Sequence, residues 1–352
     1  MRACRFACIL FFLLAGSLPL RAQQLSVPEL HPVERDGKHG YIDCTGRIAI
    51  PLQYDDAKDF HDGLTAVNVG GKWGFVDTTG KIVITPQFAE ADSFSEGLAP
   101  VKVEDKWGYV NPTGKLTIEA KFDAVGCFRE GLGVVTLSKK FGYVGKDGQI
   151  VIPVEFESAG AFSEGLAAIR VDGKYGYVDP HGSVVIPPQF TFADSFWEGL
   201  AEVIVDHEFH YIDKAGKSVL NFGDHRGEHS VMMDLFFGTT RFSEGLATVP
   251  KDGKWGYVDH SGNFAISPQY VSTQYFSDGL AAVSVPKKKD RGYVAIWGYV
   301  DKTGKLVIQP QFKSAGWFKG CLADVETEDK NAYVDRSGKI VWAAPGQPKP
   351  KH

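Results

Sequence analysis

The sequence predicts an all-β protein, a tandem array of about nine three-stranded antiparallel meanders, and three observations carry that expectation. A motif recurs with a 34-residue period, its glycines fall where tight turns need them, and the runs between are rich in β-branched and aromatic residues.

The motif reads GKWGFVDTTGK around Trp73, DKWGYVNPTGK around Trp107, KFGYVGKDGQ around Phe141, GKYGYVDPHGS around Tyr175, GKWGYVDHSGN around Trp255 and AIWGYVDKTGK around Trp297, with degenerate copies at His39, Phe209 and Asn331. Its last glycine stands at Gly46, Gly80, Gly114, Gly148, Gly182, Gly216, Gly262, Gly304 and Gly338, in five steps of 34 residues and then 46, 42 and 34. A second signature follows at fixed distance, as in TPQFAEADSFSEGLAPV from Thr85 and PPQFTFADSFWEGLAEV from Pro187. The same period belongs to a helical hairpin repeat, but 40 glycines, recurring inside every motif, exclude it. Each would cost a helix interior about 1 kcal/mol relative to alanine.

Within a unit the first strand is typified by Leu98 to Val103, the middle strand by Lys106 to Asn111 and the third by Lys115 to Ile118. Asp172-Gly173 and Asp252-Gly253 have the composition of type I′ hairpin turns, and Asp77-Thr78-Thr79-Gly80 that of a type I turn closed by a glycine with positive φ. Pro86, Pro188, Pro268 and Pro310 are expected to end the third strand by removing a ladder donor. Along the middle strand Trp73 and Phe75 face one way and Gly74 and Val76 the other, and Ile82 and Ile84 oppose Val83. Two mostly apolar faces need covering on both sides, which neighbouring units supply, with Gly74 expected to admit a neighbour's ring. Phe88, Phe122, Phe156, Phe190, Tyr270 and Phe312, with Phe94, Phe128, Phe162, Phe196, Phe276 and Phe318, recur with the unit and are read as core. The first unit, from about Glu29, and the ninth, to about Trp342, each hold three strands, so no unit is shared between the ends. An open, curved solenoid is therefore expected, with a closed propeller-like ring as the alternative.

The sequence resembles the bacterial WG (or KWG) repeat family, through Trp73-Gly74, Trp107-Gly108, Trp255-Gly256 and Trp297-Gly298. The resemblance covers nearly the whole chain after the leader. It implies a repeat protein that is often exported and brings no catalytic residues with it.

Residues 1–22 read as a cleaved export signal: Arg2 and Arg5 precede an apolar stretch from Phe6 to Leu14, and Leu20-Arg21-Ala22 ends it. That stretch is too short to span a bilayer, and no transmembrane segment is expected. The repeat domain is placed at 23–345 and a Pro/Lys-rich tail at 346–352. Losing the leader removes three arginines and no acid, which takes the formal net charge from −5 to −8 and argues against a nucleic-acid partner. Cys44, Cys127 and Cys321 remain, each where sister repeats carry other residues, so no structural bridge is expected.

The repeat breaks in two insertions, about 222–240 and 286–296. His225 and His229 lie in the first and His207 and His210 just before it, the candidate metal ligands, although their spacing fits no established zinc pattern. The second holds Lys287, Lys288, Lys289 and Arg291 at what reads as a lengthened hairpin tip, a candidate for an anionic partner. Trp197 and Trp317 flank the recurrent aromatic where other units carry small or polar residues, and are candidate contacts for a peptide or a carbohydrate. The repeated Glu96, Glu130, Glu164, Glu198 and Glu244 are read as loop hydrogen-bond acceptors. With no phosphate-cradling glycine loop, no nucleophile elbow and no cofactor motif, the expectation is a non-catalytic binding or scaffolding protein of the envelope or exterior engaging a protein or peptide. A cell-wall or polysaccharide binder is the second reading and an enzyme using the histidine-rich insertion the third. Specificity is expected in the sixth to eighth units, where the insertions fall.

Overall fold

A computed structural model describes residues 29–224, 240–289 and 292–345. Among these residues there is no helix, and the chain forms nine small antiparallel sheets, one per unit. The third unit shows the pattern: Glu90–Ala91, Ala99–Val103, Lys106–Val110 and Leu116–Phe122 pair in chain order. The expected meander is there, preceded by a two-residue strand formed by what the sequence suggested was a loop. Seven sheets have this four-stranded form; the first and seventh have three described strands.

The turns follow the sequence. Asp172 and Gly173, and Asp252 and Gly253, all have positive φ, as a type I′ turn requires. In the longer turn Asp77 Oδ1 accepts the Thr79 and Lys81 amides at 2.9 and 3.1 Å, and the Gly80 amide reaches Asp77 O at 2.9 Å.

The Trp-Gly glycine has a different role from the one expected. Its neighbour is the third strand of its own sheet, not the ring of another unit: a methyl placed on Gly108 would lie 2.5 Å from Ile118 O and 2.7 Å from Ala120 N. The pairing jumps there, from Trp107 opposite Phe122 to Tyr109 opposite Ile118, so the third strand bulges inward across the glycine. Where the sequence departs from Trp-Gly the pairing changes. His210 pairs directly with Asn221, with a smaller register shift between it and Glu208, and in the ninth unit Ala332 pairs with Ala343 and Tyr333 with Trp342 without that bulge.

Proline does not end the third strand either. Ile82–Phe88 runs through Pro86, because this strand is the sheet's outer edge and needs no donor there. Edge position also corrects the expectation of two covered faces. Phe75 and Val76 are fully buried, but Ile82 and Val83 are 50% and 40% exposed, and only Ile84 and Phe88 of this strand are buried. The recurrent phenylalanines and Tyr270 are buried as expected, in clusters that join adjacent units. Trp255 is buried, while Trp73, Trp107 and Trp297 are half-buried at the margins of these clusters.

Successive units touch through repeated contacts. The turn glycine of each unit lies on the branched residue of the one before, as Gly114 does on Ile84 and Gly148 on Ile118. The buried tyrosine of one unit donates to a loop carbonyl of the next: Tyr109 to Gly126 O at 2.7 Å, Tyr143 to Gly160 O at 2.8 Å, Tyr299 to Gly316 O at 2.9 Å. The seam between the last unit and the first uses different partners. Half-buried Tyr333 donates to Pro32 O, within the first unit's strand His31–Arg35, at 2.9 Å, and Gly46 lies against the backbone carbonyl of Val341, one residue before Trp342, the counterpart of Ile84. Val33 and Ile42 share a core cluster with Leu322 and Trp342, and Cys44 forms a disulfide with Cys321. The array is therefore a closed, nine-bladed, propeller-like ring. The open form gives way because the two terminal units join through a shared core cluster, the Tyr333–Pro32 hydrogen bond and the Cys44–Cys321 disulfide, so no shared blade is needed.

Overpacking a bulge of this kind costs about 1–3 kcal/mol or more. Gly108→Ala is expected to lower the denaturation midpoint accordingly, whereas Ala332→Gly, at a position that already accepts a methyl, should change stability by less than about 1 kcal/mol. An unchanged midpoint for Gly108→Ala would show that the third strand is free to move away.

Candidate functional site

Each short inner strand is followed by a loop that carries a phenylalanine, buried in all but the half-buried Phe60, and a Glu-Gly or Asp-Gly turn, replaced by Lys319-Gly320 in the ninth unit, and these loops lie side by side around one face of the ring. Glu96, Glu130, Glu164 and Glu198, at φ near 53°, accept the amide of the next unit's glycine: Gly131 at 3.0 Å, Gly165 at 2.8 Å, Gly199 at 2.9 Å and Gly245 at 2.9 Å. Glu244 does the same for Gly279 at 3.1 Å. The expected role of these carboxylates as loop acceptors is thus met, and it is an inter-unit one. Lysines of the following unit's turn add ion pairs, Lys146 to Glu96 at 3.0 Å and Lys302 to Glu244 at 3.0 Å.

The residue just before the buried phenylalanine is Ser93, Cys127, Ala161 and Ser195 in the third to sixth units, then Arg241, Tyr275 and Trp317 in the seventh to ninth. Those three, with Trp197 of the sixth, form one stack across four units. The Arg241 guanidinium lies 4.2 Å from the Trp197 ring centre and 4.1 Å from that of Tyr275, and Tyr275 meets Trp317 at 5.4 Å with the planes 30° apart. Each cation–π contact is worth about 0.5–2 kcal/mol. Trp317 is 40% exposed, and Trp197, Arg241 and Tyr275 are half-buried. Arg241 Nε is buried with no hydrogen bond among the described residues. The two tryptophans singled out from sequence are thus brought together, but through Arg241 and Tyr275, which sequence reading missed. The signal was available in the column, where three large groups replace small ones in consecutive units.

Beneath this strip lies a carboxylate that was also missed. Glu202 is 3% exposed, in a column that elsewhere holds Ala66, Pro100, Val134, Ala168, Thr248, Ala282 and Asp324. Thr240 Oγ1 donates to Glu202 Oε2, and Oε1 has no partner among the described residues. Burial, aided by nearby Asp194, pushes its pKa up to about 8 against the Thr240 hydrogen bond; burial raises Asp194 as well, with Arg241 pulling it back.

The strip ends at a cleft of about 720 Å³ lined by Glu29, His31, Asp59, His61, Asp62 and Lys319. Lys319 lies 5.9 Å from the Trp317 ring centre and pairs with Asp59 of the second unit at 2.7 Å. Among the described residues the first unit has no inner strand and no loop of its own, and the cleft occupies that place.

The remaining candidates lie elsewhere. Lys287, Lys288 and Lys289 are exposed on the lengthened hairpin of Leu280–Lys289 and Gly292–Asp301, at the opposite end of their strand from the loop carrying Tyr275; Arg291 lies outside the described residues. His207 sits on a hairpin turn at φ 73°, and His210 contacts Ser218 Oγ at 2.8 Å and the Glu208 carboxylate at 3.4 Å. No larger ligand set forms around these two among the described residues, and His225 and His229 lie outside them with most of the 222–240 insertion.

The model of the WG containing repeat matches residues 40–73, 73–107, 107–141, 141–175, 175–206, 238–255, 255–288 and 297–330. No curated protein matches the chain. Among solved structures, a crystal structure of a eukaryotic initiation factor superposes with a TM-score of 0.58 at 11% identity, covering 89% of this chain and 94% of the other. Hsv2p of Kluyveromyces lactis does so with a TM-score of 0.39 at 13% identity, over 78% and 94%.

A carboxyl whose folded pKa is raised from its ordinary 4.5 to about 8 is protonated in the folded protein where the unfolded chain is ionised. Its contribution is full below about pH 4.5 and is lost as pH rises toward 8, at up to about 1.4 kcal/mol per pH unit. Glu202→Gln is expected to flatten this fall and to be the more stable protein at the alkaline end of the range. Urea denaturation across that range tests it; a wild type with constant stability would contradict the burial of an uncompensated acid.

Proposed function

The chain belongs to the WG containing repeat family, and from that premise we propose that it is a non-catalytic binding scaffold whose ligand is a protein or peptide held at the Trp197–Arg241–Tyr275–Trp317 strip. The observation that carries this reading is the strip itself. Nine units share one framework, yet among the described residues the position before the loop phenylalanine carries large aromatic or cationic groups in the seventh to ninth units alone, where they stack with Trp197 next to a cleft with acidic and basic walls. Exposed tryptophan, tyrosine and arginine are the side chains that dominate protein interfaces.

A glycan is the second reading, favoured by Trp197 and Trp317 sharing one side of the ring. Sugars stack on free ring faces, however, and here Arg241 covers faces of Trp197 and Tyr275, while Tyr275 and Trp317 cover each other. With those faces engaged and a guanidinium inside the stack, the strip suits a polypeptide better. A location in the envelope or outside the cell is part of the proposal; the leader-like residues 1–22 and the Cys44–Cys321 disulfide, which an oxidising compartment would maintain, support it.

Removing an interface anchor costs about 2 kcal/mol or more, roughly thirtyfold in affinity. In crosslinking pull-downs from the native envelope fraction, a protein captured by the wild type should be lost with Trp317→Ala and with Arg241→Ala, but kept with Lys288→Ala. Retention of polysaccharide without protein would move the strip to the glycan reading, and protein capture indifferent to both strip variants would overturn it.

A further inference from the structure

The seam between the last unit and the first brings together four metal-ligating side chains, a grouping that no other pair of units shares among the described residues. Cys44 stands in the first unit's turn, with Asp43 Oδ1 accepting the amides of Thr45 and Arg47 at 2.8 and 3.1 Å, so its backbone is fixed. Cys321 lies in the last unit's loop, its amide donating to Glu29 at 3.0 Å. His31 opens the first strand, 4% exposed, with its ring 5.6 Å from that of Tyr333 and Nε2 3.4 Å from Cys321 Sγ. The ligand atoms of Glu29, His31, Cys44 and Cys321 all lie within 4.8 Å of one another, and this is the only such group among the described residues.

We propose that these four side chains form a tetrahedral site for a thiophilic divalent cation of the zinc class whenever the Cys44–Cys321 disulfide is reduced. Two thiolates, one imidazole and one carboxylate are a donor set that zinc takes, with bonds of about 2.3 Å to sulfur and 2.0–2.2 Å to nitrogen and oxygen. Those lengths put ligand atoms on one tetrahedral ion roughly 3.4–3.8 Å apart. Side-chain rotation of the two cysteines, whose Cα atoms are 5.7 Å apart, covers the difference without moving the backbone. Glu29 and His31 also line the open cleft, which gives an ion a path from solvent.

The chemistry balances without a further participant. A dithiol reductant gives two electrons and two protons to the disulfide, yielding two protein thiols and the oxidised, cyclic form of the reductant. The cation then displaces one proton from each thiol as it binds. The seam is thus cross-linked in either state, by a covalent bond in oxidising conditions and by coordination in reducing ones.

Cobalt(II) added to the reduced full-length chain is the probe, with Cys4, Cys8 and Cys127 replaced by Ser so that only the seam can supply thiolate. One cobalt per chain is expected, with a near-ultraviolet thiolate-to-metal band and visible bands of tetrahedral intensity, displaced by zinc. The bands should be absent from the oxidised protein and from Cys321→Ser, and Glu29→Gln and His31→Gln should each weaken cobalt binding at least tenfold. These two variants keep the cysteine pair, so their folding is verified in the disulfide form before reduction. A reduced chain without the thiolate band, a band that survives Cys321→Ser, or cobalt affinity unchanged in both Glu29→Gln and His31→Gln would overturn the proposal.

Discussion

Between consecutive units a turn glycine of one lies on the branched side chain of the other, as Gly114 lies 3.2 Å from the Ile84 methyl by the position of its missing Cβ, and the whole architecture hangs on that contact. It requires a residue without a side chain, at φ near 80°, on one unit and an isoleucine, or Leu220 in the sixth unit, at a fixed place on the third strand of the other. A meander alone buries too little to offset its chain entropy. The contact, with the tyrosine hydroxyl that reaches the next unit's carbonyl beside it, fixes the angle between units. Because eight such steps bring the ninth unit against the first, where Gly46 meets the Val341 backbone and Tyr333 meets Pro32, that angle decides the shape of the molecule.

Much of this was legible in the sequence. The turn dipeptides, the recurrent phenylalanines and the glutamates before Gly-Leu all do in the structure what their residue types suggested. Closure was not legible, since it depends on an angle accumulated over nine units and on surfaces of residues 290 or more positions apart. The Trp-Gly glycine was legible as a position needing no side chain, but what fills the space is a bulge of its own sheet, and a bulge leaves no mark in period-two alternation. The disulfide was hidden for the same reason as closure: Cys44 and Cys321 look unrelated until the ring brings the ends together.

The site was partly legible. Trp197 and Trp317 stood out one at a time, yet the strip exists only because equivalent loop positions of four units lie next to one another, which makes Arg241 and Tyr275 the links between them. Glu202 could have been noticed as an acid in a mostly apolar column. In a repeat protein the framework is what recurs, and departures from it mark where surface has been put to use. Here they concentrate in the sixth to ninth units and at the seam, on one continuous arc of the loop face that runs from Trp197 to Asp59 through Lys319.

Small-angle scattering on the chain with Cys44→Ser and Cys321→Ser is the most direct test that the ring is closed by the non-covalent packing of the seam and not by the disulfide alone. The account predicts a compact profile matching the closed nine-unit ring and indistinguishable from that of the wild type. An extended or heterogeneous profile, with the ends parted once the covalent link is gone, would contradict it.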